Sequence, residues 1–144
     1  MALVILTLDG DVTAEFDLPA SGTHFDDIDE GPASADDGTY IATNTYNDVD
    51  EFTLSATPAV VTSVSRVDVN LRGYINDDSA TAKYEITLWH TGGGSQVGGA
   101  LYLTGAQLGG YGTTPTTSAV SWTGLSLTKT EADSLQLRVK FLES

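Results

Sequence analysis

The feature that most constrains the fold is a strict alternation of apolar and polar residues along two neighbouring stretches. In the stretch 60–75, every second residue from Val67 to Leu71 is apolar, and in the stretch 81–90 the same holds from Ala82 to Leu88. Successive side chains of a β-strand point to opposite faces, so this period of two indicates strands with one buried and one wet face. Turn-forming residues separate the stretches, which predicts a long antiparallel hairpin.

The rest of the chain repeats this theme in shorter runs divided by Gly, Asp and Asn, and predicts eight to ten strands with almost no helix. Thr128 to Glu131 fits a capping box and predicts one helical turn. With 144 residues, 40% of them hydrophobic, we expect a single domain spanning 1–144 with a real core. The predicted fold is all-β: a jelly-roll-like antiparallel β-sandwich, with an immunoglobulin-like sandwich as the alternative.

The run from Ala2 to Leu8 is almost wholly apolar, which predicts a strand that is buried on both faces or covered by a partner. It is a poor signal peptide and too short to cross a bilayer. Residues 1–8 are therefore a candidate assembly strand, which pairs either within its own sheet or with the edge of a neighbouring copy. The residues that would make the contact are Leu3, Val4, Ile5 and Leu6.

Charge is distributed unevenly along the chain. The formal net charge is −14, thirteen of the twenty acidic residues lie among the first 65, and all six lysines and arginines follow them. Such a chain repels nucleic acid and anionic membranes, so neither is an expected partner. Arg66, Arg72 and Lys83 fall on outward positions and form a candidate basic face for docking the acidic part of another subunit. The alternative is local pairing with Asp68 and Glu85.

Six acids in one loop-like segment are candidate Ca²⁺ ligands, because hard cations prefer several oxygen donors. They are Asp26, Asp27, Asp29, Glu30, Asp36 and Asp37. The spacing of an EF-hand loop is absent, and a solvated acidic loop is the simpler interpretation. Calcium is thus a candidate ligand, and no cofactor is required.

Three aromatic residues, Trp89, Tyr102 and Tyr111, are candidates for a carbohydrate-stacking platform. The simpler alternative is that Trp89 packs at a sheet edge or under a loop. His24 and His90 are the only histidines and match no catalytic or metal-binding spacing, and the chain has no cysteine. Clustered, exposed acids do not provide the raised pKa that a glycosidase needs, so we expect no enzymatic activity.

Several short motifs resemble small β-sandwich proteins of tailed-phage structural gene clusters. They are Gly10-Asp11-Val12, Asp29-Glu30, Asp36-Asp37-Gly38-Thr39-Tyr40-Ile41, Asp50-Glu51-Phe52-Thr53-Leu54, Ser121-Trp122-Thr123 and Leu135-Gln136-Leu137. The resemblance spans nearly the whole chain and implies a role in virion assembly or on the virion surface, without known catalytic residues.

We therefore expect a non-enzymatic virion structural protein that decorates the capsid as a homo-oligomer, in contact with a capsid or other virion protein. One alternative is a carbohydrate-binding jelly-roll module of a fibre or appendage that uses Trp89. Another is the subunit of a self-assembling extracellular filament. The expected location is the virion surface, or the extracellular space for a filament.

Overall fold

The computed structural model describes residues 3–17, 23–24, 28, 40–76, 81–91, 94–110, 112 and 114–143. Within these ranges the chain forms seven strands, one short helix and one 3-10 turn. They are β1 (Leu8–Ala14), β2 (Val49–Leu54), β3 (Ser63–Gly73), β4 (Ala82–His90), β5 (Gln96–Thr104), the 3-10 turn Gly105–Leu108, β6 (Thr116–Thr128), α1 (Lys129–Ala132) and β7 (Leu135–Glu143). All described pairings are antiparallel, which confirms the all-β antiparallel sandwich. The jelly-roll connectivity stays a prediction.

The described strands form two sheets of unequal size. The larger sheet has the order β1-β2-β7-β4-β5, and the smaller sheet contains β3 and β6. The predicted β3–β4 hairpin is therefore wrong: Val67 of β3 lies opposite Trp122 of β6, whereas Leu88 of β4 lies opposite Leu137 of β7. Alternation reveals which face of a strand is buried but not which strand is its neighbour.

The core lies between the two sheets. From the larger sheet, Phe52, Ile86, Leu88 and Leu103 have no exposed surface. Trp122 and Val120 of β6 face them from the smaller sheet. Alternate residues of β7 from Leu135 to Phe141 are buried, as their spacing predicts. Burying so many large apolar side chains provides most of the driving force for folding.

One corner of the sandwich is closed by a side chain. The indole Nε1 of Trp122 on β6 donates a 2.7 Å hydrogen bond to the carbonyl oxygen of Gly99 on β5. Gly98 has a φ of 67°, and a Cβ at this position would lie 2.6 Å from Cδ1 of Trp122. The register between β4 and β5 shifts at the same place, between Ile86 and Leu88. A glycine is needed here because the backbone is left-handed and touches the ring.

The first described segment differs from its prediction. Residues 3–7 belong to no strand or helix, and β1 begins at Leu8. The backbone of this segment is hydrogen-bonded to the residue that follows β2: the carbonyl oxygen of Thr7 accepts a 2.9 Å bond from the amide of Ser55. Leu3 and Ile5 are 84% and 67% exposed. The prediction that this segment is buried on both faces is therefore wrong within one subunit.

The predicted helical turn is present. Thr128 caps α1, and Glu131 bonds back to the amide of Thr128 at 2.8 Å, as a capping box requires. The next carboxylate, on Asp133, accepts bonds from the amide and hydroxyl of Thr57 at 2.7 and 2.6 Å. Lys129 binds the other oxygen of Asp133 at 2.8 Å. This group anchors the β2–β3 connection to α1. No helix within the described ranges is long and apolar enough to span a bilayer.

Candidate functional site

The outer face of the larger sheet carries a compact group of polar and aromatic side chains. Residues of β7 that precede and follow the buried Leu137 point outward, which brings Gln136 and Arg138 to this face. The cross-strand register sets Glu51 of β2 beside Arg138 and Trp89 of β4 beside Gln136. We call Glu51, Trp89, Gln136 and Arg138 the outer-face cluster.

The centre of the outer-face cluster is a three-membered stack. Oε2 of Glu51 accepts hydrogen bonds from Nε and Nη2 of Arg138 at 3.0 and 2.7 Å. The guanidinium carbon of Arg138 lies 4.7 Å from the centroid of the Trp89 ring, within the range of a cation–π contact. The carboxylate thus neutralises the guanidinium and holds it over the indole.

The polar groups of this face are unusually well buried. Glu51, Thr87 and Gln136 are only 5%, 4% and 8% exposed. The Thr87 hydroxyl accepts a 3.0 Å bond from the indole Nε1 of Trp89, so both groups are satisfied. The side-chain amide of Gln136, in contrast, makes no hydrogen bond to any residue within the described ranges. The amide atoms must therefore reach solvent, because no fully enclosed side-chain nitrogen or oxygen in the described part of the chain lacks a partner.

A depression of about 320 Å³ opens above this cluster. Its wall contains all four members of the outer-face cluster together with Val12, His90 and Gly94. Gly94 packs tightly on the end of β4, since a Cβ there would lie 2.9 Å from both Cβ and the carbonyl oxygen of His90. Nδ1 of His90 lies 3.1 Å from the Ser134 hydroxyl. The depression therefore combines acceptors, donors and an aromatic wall.

The three predicted aromatic residues are not brought together. Trp89 belongs to the outer-face cluster, and Tyr102 lies on the same face but opposite Glu85, four residues away along β4. That spacing corresponds to about 13 Å. The Tyr102 hydroxyl donates a 3.2 Å bond to Glu85, which raises the pKa of the phenol, and Lys83 lies 4.9 Å from the ring centroid. Tyr111 falls outside the described residues.

The predicted basic face is divided between the two sides of the molecule. Arg66 and Arg72 lie on the outer face of β3 in the smaller sheet, whereas Lys83 lies on β4 in the larger sheet. The prediction of one basic face that contains all three residues is therefore wrong. As with the predicted hairpin, the alternation along β3 and β4 did not reveal which strands are their neighbours. Nε of Arg66 donates a 2.7 Å bond to Asp68. Hydrogen bonds from Ser121 and then Arg66 lower the pKa of Asp68.

The predicted assembly residues Leu3, Val4, Ile5 and Leu6 lie on the segment before β1. Leu3 and Ile5 are exposed, and Val4 and Leu6 are half-buried. The predicted calcium ligands Asp26, Asp27, Asp29, Glu30, Asp36 and Asp37 lie outside the described residues. Among the residues that are described, no group of three or more His, Asp or Glu side chains is arranged to hold a metal ion.

A buried polar pair was not predicted from the sequence. Asp50 has no exposed surface, and one of its oxygens lies 2.5 Å from Nδ1 of His24. Its other oxygen accepts bonds from the amides of Glu15 and Phe16 at 2.8 and 2.9 Å. His24 also donates its backbone amide to Asp11 at 2.7 Å. The pair holds the chain that leaves β1 against β2, so its role is to position backbone.

The sequence contained one signal for these buried acids. Asp50 and Glu51 are adjacent, so they must point to opposite faces of β2, and both lie in a strand that ends in Phe52 and Leu54. Two acids at the centre of a pattern of buried residues indicate paired charges rather than solvated ones. Their partners, His24 and Arg138, lie 26 and 87 residues away and could not be identified from the sequence.

Comparison of the chain with known proteins finds no matching family model, curated protein or solved structure.

Proposed function

We propose that this chain is a non-enzymatic structural subunit that assembles with copies of itself, and that it decorates the capsid of a phage-like particle. The observation that carries the self-assembly is the exposure of Leu3 and Ile5 on the segment that leads into the edge strand β1. Large apolar side chains exposed on adjacent alternate positions are costly in water and are typical of contact sites.

The geometry of this segment suits strand addition. Burial alternates along it: Val4 and Leu6 are half-buried, whereas Leu3 and Ile5 are exposed. This period of two is that of a strand, so the segment can add to a sheet edge with Leu3 and Ile5 facing the partner. The exposed side chains would then occupy pockets on the partner while the backbones form hydrogen bonds.

A receiving edge is available on the smaller sheet. The described part of this sheet has only two strands, β3 with 11 residues and β6 with 13. β6 is the strand that is joined to the larger sheet, through the bond from Trp122 to β5. The other edge of β3 pairs with none of the described strands. Long edges of this kind are templates for pairing with another chain.

The assignment to a virion is supported by the resemblance of the chain to small phage β-sandwich proteins. The net charge of −14 also favours a subunit that faces solvent and avoids the packaged nucleic acid. A capsid or other virion protein would be the second partner. Mass spectrometry and immunogold labelling of particles from a culture that carries the gene test this part: absence from the particle surface would contradict it.

The self-assembly is tested by light scattering coupled to size-exclusion chromatography over a range of concentrations. We expect the unmodified chain to form a discrete oligomer and the double variant Leu3→Asp/Ile5→Asp to be a folded monomer. Val60→Asp is the matched control, because Val60 is 84% exposed like Leu3 but lies between β2 and β3. This control should assemble normally.

A chain that is monomeric at every concentration would contradict the proposed self-assembly, as would a double variant that assembles as well as the Val60→Asp control. Electron micrographs of the purified chain separate the two forms of assembly. Discrete small oligomers support decoration, and long filaments support the alternative of a filament subunit.

A further inference from the structure

We propose that the outer-face cluster is a binding site for a neutral saccharide, a function that does not depend on self-assembly. The site consists of the depression lined by Gln136, Glu51, Trp89 and Arg138. It differs from the platform expected from the sequence, because its polar groups come from β2 and β7 and it excludes Tyr102.

The first argument is the unpaired amide of Gln136. Every side-chain nitrogen or oxygen that is fully enclosed within the described part of the chain has a hydrogen-bond partner. Gln136 is only 8% exposed, yet its amide bonds to none of the described residues, so its small exposed surface contains the amide atoms. Because Gln136 lines the depression, we infer that its amide faces the depression, where it would offer two donors and one acceptor oxygen.

The second argument is the charge balance beside that amide. Arg138 binds only Oε2 of Glu51, which leaves Oε1 as an acceptor within a side chain that is 7% exposed. Glu51 compensates the charge of Arg138, so a charged ligand would find no uncompensated opposite charge here and would lose its own hydration on entering this largely buried face. A neutral ligand avoids that cost, which favours the neutral ligand.

The third argument is the aromatic wall. The indole N–H of Trp89 is already used by Thr87, so the ring can offer only its surface. Arg138 covers part of this ring and polarises it. An indole surface beside a donor–acceptor amide and a free carboxylate oxygen matches a pyranose, which has apolar C–H faces and hydroxyls that both donate and accept. The volume of about 320 Å³ lies near the lower end for small-ligand sites, as one or two sugar rings require.

The test begins with the unmodified full-length chain on an array of neutral and acidic glycans, followed by calorimetric titration with each glycan that binds. We expect at least one neutral hexose or N-acetylhexosamine oligosaccharide to bind. In Gln136→Met and Trp89→Leu the affinity should fall by about tenfold or more, since each change removes a contact worth at least one hydrogen bond. Tyr102→Ala lies on the same face outside the depression and should bind as tightly as the unmodified chain.

A measurement on the unmodified chain guards against variants that fail to fold. In ¹⁵N–¹H NMR spectra, titration with the same glycan should shift the side-chain amide of Gln136 and the indole N–H of Trp89, while the indole N–H of the buried Trp122 stays in place. Binding of acidic glycans alone, no binding of any neutral glycan, or shifts at Trp122 without shifts at Gln136 would each overturn the proposal.

Discussion

Asp50 and His24 form a buried pair in which Oδ2 of the aspartate lies 2.5 Å from Nδ1 of the histidine. The aspartate is wholly enclosed and also accepts two backbone amides, from Glu15 and Phe16. One side chain thereby satisfies three donors at the point where the chain leaves β1. Removing it would leave buried polar groups without partners, which is among the costliest changes in a protein interior.

We expect Asp50→Ala to lower the free energy of unfolding by about 3 kcal/mol or more, since three partners lose their acceptor. Asp50→Asn keeps one acceptor oxygen for the two amides and should lose less. Asp9→Ala, at an exposed carboxylate of the neighbouring strand β1, should stay within about 0.5 kcal/mol of the unmodified chain. Urea denaturation measures all three. Equal midpoints for Asp50→Ala and Asp9→Ala would show that the pair contributes nothing.

The glycine pair at the corner of the sandwich provides a controlled comparison. Gly98→Ala puts a methyl group 2.6 Å from the Trp122 ring at a φ of 67°, so we expect a loss of about 1–3 kcal/mol. At Gly99 a Cβ would meet nothing within 4 Å, so Gly99→Ala should change stability by less than about 0.5 kcal/mol. Denaturation midpoints decide the matter: if both variants lose the same stability, then contact with Trp122 is not the reason for the glycine.

The loss of fold stability in acid should depend in part on Asp133. Hydrogen bonds from Lys129 and then Thr57 lower the pKa of this carboxyl from 3.8 to about 2. A lowered folded-state pKa stabilises the fold at pH values above 3.8, and this contribution disappears as the pH falls from 3.8 towards 2. Asp133→Asn should therefore lower the melting temperature at neutral pH and flatten its decline over that acid range.

The control for this experiment is Asp17→Asn, at an exposed aspartate after β1. Melting curves recorded by circular dichroism between neutral pH and pH 2 measure both variants. The role assigned to Asp133 is wrong if its variant melts in parallel with the unmodified chain across the whole acid range.

The capping box of α1 should contribute to the stability of the fold although the helix is short. Thr128→Ala removes the side-chain acceptor for the amide of Glu131 and the donor to its carboxylate, so we expect a loss of about 1 kcal/mol. Thr130→Ala, at an exposed position inside α1, is the matched control and should be neutral or slightly stabilising, because alanine favours helix. A loss at Thr130 as large as that at Thr128 would mean that the cap is not the source.

Local features of the fold were predictable from the sequence. The buried alternation of β7, the wet outer positions of β3 and the capping box at Thr128 all depend on residues close together in the chain. The pairing of β3 with β6 was not predictable, because residues 67 and 122 share no sequence signal beyond being apolar. The same limitation led to the incorrect single basic face.

The candidate site was predictable only in part. Trp89 follows from its outward position on an alternating strand, but Gln136 looks like an ordinary exposed residue of a strand with one wet face. The position of Glu51 beside Asp50 indicates a paired charge but does not reveal the partner. The burial of Gln136 and Glu51 depends on Arg138 and on the neighbouring strands of a sheet whose order is not encoded locally. Cross-strand partners therefore determine the chemistry of this face, and the sequence alone does not reveal them.

The side-chain bond between Trp122 and Gly99 has a consequence for motion. β6 is joined to β5 by the indole of Trp122 and not by backbone hydrogen bonds between strands. The β3–β6 ribbon can therefore separate from the five-stranded sheet without breaking the backbone hydrogen bonds within the ribbon or within that sheet. Amide hydrogens of β3 and β6 should accordingly exchange with deuterated solvent sooner than those of β4 and β7 at the centre of the larger sheet. The ribbon would then be a separately opening unit, free to adjust its angle when another molecule presses against its edge.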